Sequence, residues 1–162
     1  MVLEKQVFLF LNIAHSSMKQ ALSEKFREGG FRLSPEQFLV MDTLWDEGVL
    51  TQQQIADITM RDKNSIVKLV DGLEKRKLVK RVSNPDDRRQ NLIKVTPYSL
   101  KIRDAVEALA YESVNGILAD IPENDLKTFV RVLALMEKNM DPVSDLEALA
   151  EKYPTNKKEK NG

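Results

Sequence analysis

Two groups of side chains between residues 61 and 94 are suited to holding and reading a polyanion. In the first, Asn64, Ser65, Val67 and Lys68 follow closely on Arg61 and Lys63, in a segment whose apolar residues Ile66, Leu69, Val70 and Leu73 recur at helical spacing. That spacing predicts a helix with a single apolar stripe. It leaves Asn64, Lys68, Asp71 and Lys75 on the opposite face, with Ser65 and Val67 at its edges. A primary amide can bond adenine through two hydrogen bonds, an ammonium can reach guanine or phosphate, and valine methyls can meet the methyl of thymine. These are major-groove chemistries. A plain surface helix shows the same stripe, so the second group decides more. Arg88 and Arg89 stand beside Asp86 and Asp87 in a loop spanning 84–90, between two short β-branched segments. Hairpin loops usually hold about 2 to 5 residues, and longer ones tend to be functional. One arginine can pair with Asp86 or Asp87 to shape the loop while the other enters a minor groove or clamps a phosphate. The plainer reading, two surface ion pairs, would contribute little to stability.

The elements that must position these groups announce their own ends. Ser34-Pro35-Glu36-Gln37 places a hydroxyl at the N-cap, proline at the first helical position and glutamine at the third, and Thr51-Gln52-Gln53-Gln54 repeats the box. Both arrangements satisfy orphan amides of a first helical turn. Thr96-Pro97 is a further start, while Gly29-Gly30 and Gly48 are stops. The predicted helices span 4–28, 35–47, 52–58, 63–76, 97–119 and 123–139, with strands at 78–83 and 91–95. Ser144-Asp145-Leu146-Glu147 is another capping box and predicts a short helix near 145–152. The lysine-rich stretch 155–162 has no periodicity and is expected to be disordered. Only 59–62 join the third and fourth helices, a connection short enough for a helix-turn-helix.

Net charge is zero over 162 residues, yet 61–94 holds eleven lysines and arginines against five acids. A basic module in an acidic frame concentrates favourable potential on one surface. The chain has no cysteine and one histidine, His15. That removes disulfides, thiolate nucleophiles and thiol oxidation, and leaves little from which to build a metal site. No Gly-rich phosphate loop or nucleophile–base pair is present, so neither an enzyme nor a cofactor is expected. The start of the chain lacks a signal-peptide pattern and no run is long enough to span a bilayer, which predicts a cytoplasmic protein without a membrane partner.

The order of elements, with Ile55-Ala56, Leu69-Val70-Asp71-Gly72-Leu73-Glu74, Leu78-Val79, Asp86-Asp87-Arg88-Arg89 and Val95-Thr96, resembles the multiple-antibiotic-resistance regulator (MarR) family over roughly residues 34–100. The resemblance implies a mainly α fold with a small two- to three-stranded β wing, a winged helix-turn-helix flanked by dimerisation helices. The expected division is an N-terminal dimerisation helix at 1–33, the DNA-binding domain at 34–96, C-terminal dimerisation helices at 97–140, and an extension at 141–162. The function it implies is a homodimeric transcriptional regulator, a repressor on an inverted-repeat operator in double-stranded DNA. The alternative is a winged-helix module that binds an acidic protein partner. The apolar residues of the first and last helices exceed what one small core absorbs, which independently favours a two-fold dimer. Family members release DNA when a small phenolic or aromatic ligand enters a cleft, for which His15, Trp45 and Tyr111 are candidate lining residues. Two positions depart from the family's glycines. Lys77 must take a left-handed conformation at about 1 to 2 kcal/mol or end its helix differently, and Ser99 stands early in the fifth helix.

Overall fold

The computed structural model describes residues 2–144 and 146. The chain forms two compact units, Met1–Ile117 and Leu118–Gly162. The first runs α1 (Val2–Glu28), α2 (Pro35–Glu47), β1 (Leu50–Thr51), α3 (Gln52–Ile58), α4 (Lys63–Lys75), β2 (Val79–Ser83), β3 (Asn91–Val95) and α5 (Pro97–Ile117); the second contains α6 (Glu123–Met140). The expected helix at 145–152 and the tail at 155–162 lie outside the described residues, save Leu146. Among the described residues no helix is long and apolar enough to cross a membrane.

The capping residues act as their types dictate. Ser34 and Thr51 each close a full capping box, with Gln37 and Gln54 at the third position. The Thr96 hydroxyl accepts from Ser99 N–H at 3.1 Å and donates to the Lys77 carbonyl at 2.7 Å, so one side chain starts α5 and braces the turn after α4. Helix α4 has a cap that the sequence reading passed over. The Asp62 carboxylate accepts from Ser65 N–H at 2.9 Å.

Lys77 takes the first of its two options, a left-handed backbone with φ +59°. Arg76 is therefore the C-cap, and α4 ends at Lys75. Leu78 N–H returns to the Leu73 carbonyl at 3.0 Å, the bond that accompanies such a termination. Met60 does the same after α3, with φ +51° and Arg61 N–H bonded to the Ala56 carbonyl at 2.9 Å. No glycine marked that turn. Helix α5 stops two residues short of expectation, ahead of a left-handed Asp120 and Pro122.

The sheet has three antiparallel strands in the order β1-β3-β2. Its third strand, β1, was not among the predicted elements because two residues leave no periodicity to read; Leu50 opposes Ile93 and Thr51 opposes Leu92. Ile66, Val70 and Leu73 of α4 are fully buried against Val40, Met41 and Leu44 of α2, Ile55 of α3 and Ile93 of β3, in one cluster that also takes in Phe26 and Val106. Each such side chain contributes about 1.5 to 3 kcal/mol when fully removed from water. The approach of α4 to α2 is close enough that a Cβ on Gly72 would lie 2.7 Å from the Gln37 side-chain nitrogen. A larger residue there would have to displace the end of the Gln37 side chain, which also caps α2 and accepts from Arg76.

Candidate nucleic-acid interface

Asn64 and Lys68 are exposed on α4, with no side-chain hydrogen bond or ion pair among the described residues, and Val67 is half-buried beside them. Their donors and acceptors are available to a ligand. Ser65 is more constrained than its residue type implied. Its hydroxyl donates to Asp62 Oδ2 at 2.5 Å, which leaves it only lone pairs to offer outward. Hydrogen bonds from the Ser65 hydroxyl, then from its N–H, hold the Asp62 carboxyl below the usual aspartate range. Arg61 and Lys63 are exposed at the head of the same helix, without ion pairs among the described residues.

The loop between β2 and β3 divides its two arginines as the sequence reading allowed. Arg89 is the partnered one: its Nε lies 3.1 Å from Asp87 Oδ1, and its own N–H donates to the same oxygen at 3.0 Å. Arg88 is exposed with no such partner among the described residues. Asp87 also accepts from the Gln90 amide at 3.1 Å, and its carboxyl lies below the usual range chiefly because of the Arg89 side chain. Asp86, expected to share the shaping role, supplies only its backbone N–H, which donates to Asn84 Oδ1 at 3.0 Å. The shaping pair is thus Asn84 and Asp87. An amide and a carboxylate can each close such a turn on a backbone N–H two residues on, so Asn84 takes the place expected of Asp86.

Asp71, placed by periodicity on the outward face of α4, is not a free carboxylate. Arg81 of β2 donates from Nη2 to Asp71 Oδ1 at 2.6 Å, from Nη1 to Glu74 Oε2 at 2.5 Å, and from its backbone N–H to Glu74 Oε1 at 3.0 Å. Partial burial pulls the guanidinium pKa down, but bonds to the two carboxylates outweigh it and raise the value. On the inner side Arg76 donates to Gln37 Oε1 at 2.8 Å, joining the end of α4 to the capping residue of α2. No local sequence signal identifies Arg81, since its partners lie seven and ten residues away on another element.

The three candidate cleft residues do not converge. His15 lines a cavity of about 170 Å³ with Met18, Lys19 and Leu22 of α1, Pro35 of α2, and Ser113, Val114 and Ile117 of α5. Lys19 is ion-paired to Glu36 beside it. Trp45 is not in that lining but in the core, where its indole N–H donates to the buried Ser99 hydroxyl at 2.9 Å. Arg103 stands 5.9 Å from the indole ring and donates to the Trp45 carbonyl at 2.9 Å and to Asp46 at 2.7 Å. Tyr111 is 51% exposed and likewise outside the cavity lining. The indole is thereby committed to packing α5 on α2, and the serine at 99 has a structural use that a glycine could not serve. Among the described residues no cluster of three or more metal-ligating side chains occurs.

Residues 33–90, which hold α2 through the β2–β3 loop, match the model of the MarR family. The HTH-type transcriptional regulator MhqR of Bacillus subtilis is 23% identical over 128 residues, which are 79% of this chain and 87% of that protein. Reduced AbfR bound to DNA superposes with a TM-score of 0.71 at 24% identity, over 86% of this chain and 95% of that one. The organohalide-sensing transcriptional regulator RdhR in its 2,4-dichlorophenol-bound form superposes with a TM-score of 0.79 at 17% identity, over 86% and 81%. Three helices, a short antiparallel sheet and a long-looped hairpin form a winged helix, and residues 33–90 within it are similar to the MarR family.

Proposed function

We propose that this chain is a cytoplasmic transcriptional repressor that binds an inverted-repeat operator in double-stranded DNA as a homodimer. The observation that carries the reading is the pairing pattern of the reading head. Asn64, Lys68 and Arg88 are exposed and uncommitted, while the neighbouring Asp71, Asp87 and Glu74 are tied to arginines. Polar groups available for base edges on α4 and a free cation on the wing match the division between base-reading and backbone-positioning contacts. Base readout falls to Asn64, Val67 and Lys68, with Ser65 as an acceptor, and Arg61 and Lys63 approach phosphates. Arg88 enters the minor groove or clamps the backbone, with Arg89 held to Asp87.

Dimerisation rests on apolar faces that one chain leaves open. On α1, Val7, Phe8, Phe10 and Ile13 are each more than 40% exposed, and on α6 Phe129, Val130, Val132 and Leu135 are each 40% exposed or more. Exposed apolar surface of this extent marks an association site. The working division is a helical frame, 1–33 and 97–140, that pairs two reading heads at 34–96. In the relative RdhR the ligand is 2,4-dichlorophenol. The apolar cavity at His15 is the place here for a small aromatic or phenolic effector, and the absence of cysteine excludes a thiol switch.

The test is fluorescence anisotropy with duplexes from the DNA flanking the coding sequence, comparing an inverted repeat with a scrambled duplex of equal length. The operator is expected to bind about 10³-fold or more tightly than the scramble. Equal affinity for both, or none, would instead support the protein-interaction reading.

A further inference from the structure

We propose that Arg81 is a positioning residue for DNA recognition: its guanidinium locks the wing to the outward face of α4, so that base-reading and wing contacts engage DNA as one unit. The inference rests on the DNA-binding reading above and adds to it a residue that touches no DNA. The backbone between the two elements is a short turn held by its own hydrogen bonds at the root of the hairpin. Helix α4 ends at Lys75, Lys77 is left-handed, and β2 begins at Val79. Leu78 and Val79 anchor the root of the hairpin in the core, but the burial of β2 declines beyond them toward an exposed Ser83. Arg81 acts in this interval. It holds two carboxylates one helical turn apart, Asp71 and Glu74, with both arms of the guanidinium and a backbone N–H. Among the described residues no other ion pair joins α4 to the hairpin. The Arg89–Asp87 pair lies wholly within the loop and shapes its tip without fixing its direction.

The geometry also explains how an acidic residue is tolerated on the reading face. Asp71 follows Asn64 and Lys68 at seven and three residues and so shares their side of the helix. Unpaired, it would face phosphates. The side chain of Arg81 is 21% exposed and its two arms point to the carboxylates, so it compensates Asp71 from the protein side rather than by reaching the DNA. A lysine would supply the same charge. It would not supply a planar fork able to hold two carboxylates in fixed directions.

Charge compensation and positioning are separated by three variants of the full chain: Arg81→Lys, Arg81→Gln, and Arg81→Gln combined with Asp71→Asn and Glu74→Gln. Each is titrated against operator and scrambled duplexes over a salt series, after its melting curve confirms folding. The operator-to-scramble ratio is expected to fall about tenfold or more in all three, a loss of the size of one good base contact. The salt slope of Arg81→Lys should stay at the wild-type value. A slope smaller by about 1 would mean a lost phosphate contact and would overturn the proposal. Wild-type discrimination in Arg81→Lys, or its restoration in the triple variant, would reduce Arg81 to a counter-charge and also overturn it. A readout without DNA keeps this apart from the fate of the functional reading. Amide hydrogens of residues 82–92 should exchange faster in Arg81→Lys than in wild type, and unchanged exchange would show that the fork does not hold the wing.

Discussion

Helix α4 and helix α6 are both strongly amphipathic, and they meet opposite fates. In α4 the stripe Ile66, Val70 and Leu73 is fully buried, whereas in α6 no residue is buried although Phe129, Val132, Leu133 and Met136 recur at similar spacing. Helix α1 sides with α6. Of its 27 residues only Phe26, beside the reading head, is buried. A stripe is complete only when another surface covers it, and α4 finds that surface in α2, α3 and β3 of its own chain. The reading head is thus self-sufficient. The apolar faces of α1 and of α6 are each left open in the single chain, and the proposed homodimer would cover them.

The largest effect should come from breaking this asymmetry. Phe8→Glu and Phe129→Glu place a charge on the open faces of α1 and α6, and each should yield 18.5 kDa monomers by light scattering. Operator affinity should then fall by roughly 10² to 10⁴, the gain that linked half-site binding confers. The melting of the reading head should hardly change. Ile66→Ala should do the converse, costing about 2 to 5 kcal/mol of unfolding free energy through a cavity in a closed core. A dimer that survives both glutamate substitutions would remove the contrast between frame and head.

The second test divides the reading head itself. Asn64→Ala or Lys68→Ala should cost about 1 to 3 kcal/mol on operator and much less on random DNA. Arg88→Ala should weaken both duplexes and reduce the salt slope by about 1. Arg89→Ala should change the slope less, because that guanidinium is engaged with Asp87. Anisotropy across salt concentrations distinguishes these outcomes, and a larger slope change for Arg89 than for Arg88 would invert the roles assigned to them.

A third effect concerns the seam between α2 and α5. Ser99→Ala removes the acceptor of a buried indole N–H, and an unsatisfied buried donor costs about 1 to 3 kcal/mol. Thermal unfolding measures it. Ser99→Gly, the residue type the resemblance implies at this position, should lose at least as much in this chain. The smallest effect is one of pH. Asp62 and Asp87 have lowered carboxyl pKa values through the Ser65 and Arg89 bonds. The unfolded-state value for aspartate is about 3.9, so their contribution is fully present above it and is lost as pH falls through the lower folded values. Chemical shifts of Ser65 and Arg89 amides should therefore titrate below about pH 4. Titration of either amide at higher pH would contradict these assignments.

Much of this was legible in the chain because caps and periodicity are local. Ser34, Thr51 and Thr96 bond amides within three residues of themselves, so residue type and spacing suffice to place α2, α3 and α5. The stripe of α4 likewise needs only the 3.6-residue repeat. Asn64, Lys68 and the Arg88–Arg89 pair stood out as exposed because an outward helix face and a long basic loop are properties of contiguous residues. What tertiary structure alone decided involves partners far apart in sequence. It took Trp45 out of the candidate cleft, because its indole meets a serine 54 positions away. It turned Asp71 from a carboxylate on the reading face into one arm of the Arg81 lock, ten positions away. It also made Leu50–Thr51 a strand, since two residues acquire that identity only from the Leu92 and Ile93 they pair with. Hydrogen-bond donors and acceptors declare their capacity in the sequence. Their partners are set by which elements pack together, and packing depends on the whole core at once.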